Sequence, residues 1–199
     1  MLKKETGLIL VFGFIFIFSI AMILIQNLPS TDVSLTGFAT TGTAVSNVTI
    51  SKYLSISMSS NLSGGILFGS IDTLPAVNLN ASGNNNSGGS SSFLINVSSD
   101  SNTAVDFCLK ANADLYDSTG GNTLAIGNES YANATTTSAS IPVLSQEVSF
   151  TTSYVKAGEG IGIGNGSYYR FWLDIPSGTA SGTYNNTISF EGVETGTSC

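Results

Sequence analysis

Tyr169 to Ile175 reads YRFWLDI. Tyr169, Phe171, Leu173 and Ile175 share one parity, and Arg170, Trp172 and Asp174 share the other. Period-two alternation of large apolar side chains marks a β-strand with one face buried and one face wet. The same pattern recurs outward from this run. Upstream, Val48, Ile50, Leu54, Ile56 and Met58 share a parity, with Lys52 the exception. Phe93, Ile95 and Val97 alternate, as do Val105, Phe107, Leu109 and Ala111, and then Val148, Phe150, Thr152 and Tyr154. Downstream, Tyr184, Ile188 and Phe190 close the series. Ile66 to Ile71 is a short apolar piece interrupted by Gly69, and weaker runs lie at Asp114 to Tyr116, Leu124 to Ile126 and Ile141 to Leu144.

Clusters of Gly, Asn, Ser and Pro separate these runs. No segment after the first thirty residues carries a helical spacing of useful length. About seven to nine strands with one wet face each are satisfied by two stacked antiparallel sheets. The expected fold is therefore all-β, an antiparallel β-sandwich of immunoglobulin-like type, with a closed barrel as the alternative. Asn78 to Ser92, NLNASGNNNSGGSSS, reads as a low-complexity loop inside this one domain, and Ala132 to Ser140 as a shorter loop.

Composition removes several functions. The 199 residues contain no histidine, so histidine-ligated zinc and Ser-His or Cys-His catalysis lack an essential group. Six Lys plus Arg in a chain of net charge -7 make no basic patch, which argues against nucleic acid as a partner. Gly158 to Gly166, GEGIGIGNG, has neither dinucleotide-fingerprint spacing nor the Gly-Lys-Ser/Thr ending of a phosphate loop, and reads as a hairpin loop. Asp114, Asp117, Asn122 and Glu129 bracket a glycine-containing turn that could offer oxygens to Ca²⁺, without EF-hand spacing. Asp106 and Asp174 lie on outward parities of two strands, but nothing in the sequence pairs them across a cleft. No enzyme activity, cofactor, catalytic residue or metal-binding residue is expected.

The first residues read differently. Leu8 to Ile25, LILVFGFIFIFSIAMILI, has no charge and Ser19 as its only polar side chain. Eighteen residues of helix extend ~27 Å, close to the ~30 Å of a hydrocarbon core. No Ala-x-Ala lies next to it, which favours an uncleaved anchor over a leader. Lys3 and Lys4 precede it and Lys52 is the first basic residue after it, so positive-inside orientation places the N-terminus in the cytoplasm. The expected organisation is a cytoplasmic segment at 1–7, a transmembrane helix at 8–25, a polar stalk at 26–46 and an extracellular β-sandwich at 47–199.

Nine Asn-x-Ser/Thr sequons fall at Asn47, Asn61, Asn80, Asn85, Asn96, Asn128, Asn133, Asn165 and Asn185. Asn47, Asn96 and Asn185 sit in or beside predicted strands on the outward parity, and the other six fall in predicted turns or loops. They are candidates for N-glycosylation. Cys108 and Cys199 are the only cysteines and invite a disulfide, with free thiols or an intermolecular bond through Cys199 as alternatives. Trp172, the only tryptophan, is either covered or free to stack on a sugar or a protein.

A short basic N-terminus, one apolar helix and an acidic, sequon-rich β domain together resemble archaeal membrane-anchored cell-surface β-sandwich proteins, including pilin-like subunits. Pro176, Gly178, Gly182 and Tyr184, with Ile188 and Phe190 as core residues, are similar to the turn and final strand of secreted immunoglobulin-like modules. The resemblance implies a non-catalytic structural or adhesive protein at the cell surface. Alternatives are a pilus or filament subunit and a carbohydrate- or Ca-binding surface module. Its partners would be the lipid bilayer through Leu8 to Ile25, and identical subunits or other surface proteins.

Overall fold

The structure is a computed structural model, which describes residues 15–19, 45–84, 93–138 and 141–199. The chain divides into two units, Met1–Val48 and Thr49–Cys199. In the first, residues 15–19 are helical and residues 45–48 have no regular secondary structure and are exposed. Most of Leu8 to Ile25 and nearly all of the expected stalk lie outside the described residues. Among the described residues no helix is long and apolar enough to cross a membrane. This corrects the expected transmembrane helix, and with it the lipid partner, the cytoplasmic N-terminus and the extracellular placement of the rest.

The second unit holds twelve strands among its described residues: β1 (Ile56–Met58), β2 (Ala76–Asn80), β3 (Phe93–Val97), β4 (Val105–Ala111), β5 (Leu115–Asp117), β6 (Thr123–Leu124), β7 (Glu129–Thr135), β8 (Val148–Ser149), β9 (Val155–Ile161), β10 (Gly166–Ile175), β11 (Tyr184–Asn185) and β12 (Ile188–Glu194). One helical turn, α1 (Ser60–Ser63), is capped by Ser59, whose hydroxyl accepts from the Leu62 amide. The larger sheet runs β1-β3-β10-β7-β8, with β2 also on β10. A three-stranded sheet runs β12-β4-β9, and a small one β11-β5-β6. All of these pairings are antiparallel, giving a β-sandwich-like arrangement.

The alternating residues explain the layering. Phe93, Ile95, Val97, Tyr131, Tyr169 and Phe171 come from the larger sheet, and Val105, Phe107, Leu109, Ala111, Ala157 and Ile161 from the β4 sheet; all join one buried core. Rings run through it. Phe171 meets Phe93 edge-on at 5.1 Å and lies 6.1 Å from Phe150 and 6.2 Å from Tyr169. Such offset and edge contacts add to area burial. The Tyr169 hydroxyl donates to the Ala157 carbonyl at 2.8 Å, tying the two sheets together inside the core. A second cluster of Leu115, Leu124 and Leu173 packs with Phe68, Leu79, Ile175 and Tyr184 beside the small sheet.

β10 is the centre of the larger sheet. Its first half pairs with β3 and its second half with β2 on one edge, while β7 runs along the other. Between the two neighbours, at Phe171, no strand residue pairs, and the only backbone bond there among the described residues is from the Ala81 amide, one residue past β2, to the Phe171 carbonyl at 3.1 Å. Asn84 fills the gap: its Oδ1 accepts from the Phe171 amide at 2.8 Å and its Nδ2 donates to the Phe171 carbonyl at 2.7 Å. A side-chain amide carries one donor and one acceptor, as a backbone unit does.

Several expectations are corrected here. Residues 78–80 are not loop, because Asn78, Leu79 and Asn80 belong to β2; 81–84 are a turn, and 85–92 lie outside the described residues. Ala132 to Thr135 is likewise strand, the end of β7, and only 136–138 of the expected loop are a turn among the described residues. The glycine-rich 158–166 segment contributes the end of β9 and the start of β10. Glycine there follows from close approach: a Cβ on Gly158 would lie 3.2 Å from the Phe107 ring, and one on Gly166 would lie 2.4 Å from the Ile95 carbonyl oxygen. Val48 and Ile50, expected in a strand, are 80% and 79% exposed. Only Leu54 and Ile56 of that run reach the core.

Candidate functional site

On β4, alternate residues Asp106, Cys108 and Lys110 face away from the core. An outward face is normally wet, yet Asp106 and Cys108 are both 0% exposed. The chain after β12 covers them. Gly196, at φ 89°, permits the turn, since the left-handed region carries little penalty for glycine. The Thr195 amide then donates to the Ala104 carbonyl at 3.2 Å and the Gly196 amide to Asp106 Oδ2 at 3.2 Å. Cys199 is disulfide-bonded to Cys108 across a sequence separation of 91. Residues 195–199 thus form a strap over the β4 sheet, and each of them is exposed.

Asp106 is the anchor of this face. Its Oδ2 also accepts from Lys156 Nζ at 2.7 Å, and its Oδ1 from the Gly160 amide at 2.7 Å. Burial pushes its carboxyl up, but the Lys156 and backbone donors outweigh that, and the net result lies below the ordinary aspartate range. Lys156 is correspondingly held above the ordinary lysine range by its bond to Asp106. Lys156 also has Glu159 at 3.6 Å.

At one end of the core Glu129 is 4% exposed. Burial raises its carboxyl above the usual glutamate range, against the lowering effect of the Asn186 amide that donates to it at 2.5 Å. The acids of the suggested Ca²⁺ loop do not converge. Asp117 accepts from the Thr119 and Gly120 amides, Asp114 accepts from the Ile126 amide 12 residues on, and Glu129 is engaged with Asn186. Among the described residues no group of three or more His, Cys, Asp or Glu is placed to hold a metal. Asp174 accepts from the Asn78 amide at 2.6 Å, where the β10–β2 register shifts.

Trp172 is 3% exposed on the outer face of β10. Its Nε1 donates to Asn80 Oδ1 at 3.0 Å, and the Arg170 guanidinium lies 5.4 Å from its ring centroid and donates to the Pro142 carbonyl. The ring is therefore engaged by the protein itself and is not presented for stacking. The fold uses several sequon side chains. Asn80 accepts from Trp172, Asn133 donates to Ser167 at 3.3 Å, and Asn96 Oδ1 lies against Gly166. Asn47 and Asn185 are exposed, Asn61, Asn128 and Asn165 are half-buried, and Asn85 lies outside the described residues. A shallow depression of about 230 Å³ lies between α1 and Gly83, walled by Phe93 and lined by no titratable side chain.

Sequence reasoning missed Asn84, Asn186, Lys156 and the covering role of Thr195 to Ser198. A polar residue in a polar run carries no local signal of the backbone it will complete.

No protein-family model matches the chain, and neither the curated proteins nor the solved structures show a significant match to it. Because no helix among the described residues is long and apolar enough to cross a membrane, the resemblance to archaeal membrane-anchored cell-surface and pilin-like proteins is not sustained. The structural or adhesive surface role, the filament role, the carbohydrate- or Ca-binding role and the identical-subunit or surface-protein partners that followed from it are corrected with it. What stands is a β-rich, sandwich-like domain.

Proposed function

We propose that residues 49–199 form a non-catalytic, disulfide-closed β domain that folds and persists under oxidising conditions. The observation that carries this reading is the Cys108–Cys199 disulfide, which closes most of the domain into one covalent loop. Disulfides persist in oxidising compartments and are rare where glutathione keeps thiols reduced. Closing a loop of this length constrains the unfolded chain by ~4–5 kcal/mol. The carboxylates support the non-catalytic part. Asp106, Asp114, Asp117 and Asp174 each accept backbone amides, and Glu129 and Glu147 each accept a side-chain donor. Groups committed to holding the fold are not poised for proton transfer at a shared substrate.

The test is a thiol count on full-length protein purified without reductant. Fewer than one thiol per two cysteines, rising to two after denaturation and reduction, is expected. Two free thiols in the native protein overturn the oxidising-compartment reading. A hydrolase substrate panel should give no turnover above buffer. Turnover abolished by Asp106→Asn or Glu129→Gln overturns the non-catalytic reading.

A further inference from the structure

The strap is held unequally at its two ends. The Thr195 amide donates to the Ala104 carbonyl and the Gly196 amide to the Asp106 carboxylate, while the Thr197 amide makes only a local bond to the Glu194 carbonyl. Beyond them the disulfide is the attachment recorded for the last residues. Its two residues differ in exposure: Cys199 is an exposed residue, whereas Cys108 is fully buried under the strap. Thiol–disulfide exchange needs a thiolate to approach one sulfur in line with the bond it breaks, so access decides which sulfur is attacked. Charge does not select between them here. Across the β4 face, Cys108 is flanked by Asp106 and Lys110 on its own strand, Lys156 opposite on β9 and Glu191 opposite on β12, two anions and two cations.

We propose that residues 195–199 are a thiol-released strap, and that Cys199 is the site at which a small thiol such as glutathione enters. The thiolate attacks Cys199 Sγ and the Cys199–Cys108 bond breaks. Its electron pair leaves on Cys108, which takes up a proton from solvent, and Cys199 remains as the mixed disulfide. No net oxidant is consumed. The strap, left with two non-local hydrogen bonds, swings away and uncovers Cys108 and the Asp106–Lys156 pair, while the core of rings between the sheets stays closed. The inference requires the disulfide of the preceding section to be formed. The thiol count checks that requirement separately, so failure of one is distinguishable from failure of the other.

The experiment treats the oxidised full-length protein with reduced glutathione, quenches with N-ethylmaleimide and maps both cysteines by peptide mass spectrometry. Glutathione on Cys199 and maleimide on Cys108 are expected. In parallel, hydrogen exchange should quicken about tenfold or more in 195–199 while β10 keeps its protection. Glutathione on Cys108, unchanged exchange in 195–199, or loss of protection in β10 together with the strap would each overturn the proposal. Cys199→Ser supplies a second arm without added thiol. Its Cys108 should be alkylated by maleimide under native conditions at a rate independent of added low urea. A Cys108 that reacts only when the whole domain unfolds would also overturn it.

Discussion

Two buried tyrosines allow the same chemical change to be made with opposite expected signs. Tyr169 is 1% exposed and Tyr131 is 2% exposed, and both rings lie in the main core. The Tyr169 hydroxyl donates to the Ala157 carbonyl at 2.8 Å, whereas the Tyr131 hydroxyl is buried without a hydrogen-bond partner among the described residues. In both, burial pushes the phenol's ionisation upward, so neither titrates near neutral pH. Tyr169→Phe removes a satisfied bond and strands the acceptor on Ala157, itself 3% exposed, at a cost of about 1–3 kcal/mol. Tyr131→Phe removes a polar group that was desolvated without compensation, so it should be neutral or stabilise by up to about 1 kcal/mol. The rings and their packing against Phe150 and Phe171 are retained in both variants. The assay is equilibrium urea unfolding followed by fluorescence of Trp172, the only tryptophan and a buried one. With a slope of about 2 kcal/mol per molar, the two midpoints should separate by roughly 0.5–2 M. Equal destabilisation by both changes would refute the reasoning, because it would mean that the Tyr131 hydroxyl is satisfied in the native state.

The carboxylates make further predictions with opposite pH signs. The Asp106 carboxyl is lowered on folding, so its contribution is present above the ordinary aspartate value and is lost as pH falls through the folded value. Asp106→Asn should cost roughly 1–3 kcal/mol at pH 7 and progressively less in urea titrations below about pH 4. The Glu129 carboxyl is raised, so its contribution is full below the ordinary glutamate value and is lost as pH rises through the folded value. Glu129→Gln keeps an acceptor for Asn186 and should flatten that decline, leaving the variant as stable as the parent or more so at pH 7; a variant less stable at pH 7 contradicts this. Gly166→Ala places a Cβ 2.4 Å from the Ile95 carbonyl oxygen and should lower the melting temperature by forcing β3 and β10 apart, at a cost of about 1–3 kcal/mol. A calorimetric melt equal to the parent's would show that the strand edge yields freely.

The strands with large alternating side chains were readable because one physical cause, burial of every second residue, writes directly into the residue order. Phe93 to Val97 and Tyr169 to Ile175 are such strands, and their buried parity in the structure is the apolar one. β7 was not readable. In ESYANAT only Tyr131 is large, and Ala132 and Ala134 suffice because the strand gains its stability from pairing with β10 along its whole length. β9 was hidden for a related reason. Phe107 and Tyr169 occupy the space that larger side chains on Ala157 and Gly158 would need, so the strand is built from small residues that read as a loop. Val48 and Ile50 misled in the other direction, alternating without a partner to bury them.

Sequence by itself determined what depends on residue type alone: an acidic, histidine-free, β-rich chain with two cysteines and a core of alternating aromatic and aliphatic side chains. Period-two burial is local, so the order of residues records it. Tertiary structure decided which outward positions are covered. That Asp106 and Cys108 lie beneath residues 195–199, that Asn84 completes the ladder at Phe171, and that the Trp172 indole is engaged by Asn80 all depend on contacts between residues about 90 positions apart. No local pattern encodes a partner at that distance, because only the closed chain brings the two groups together.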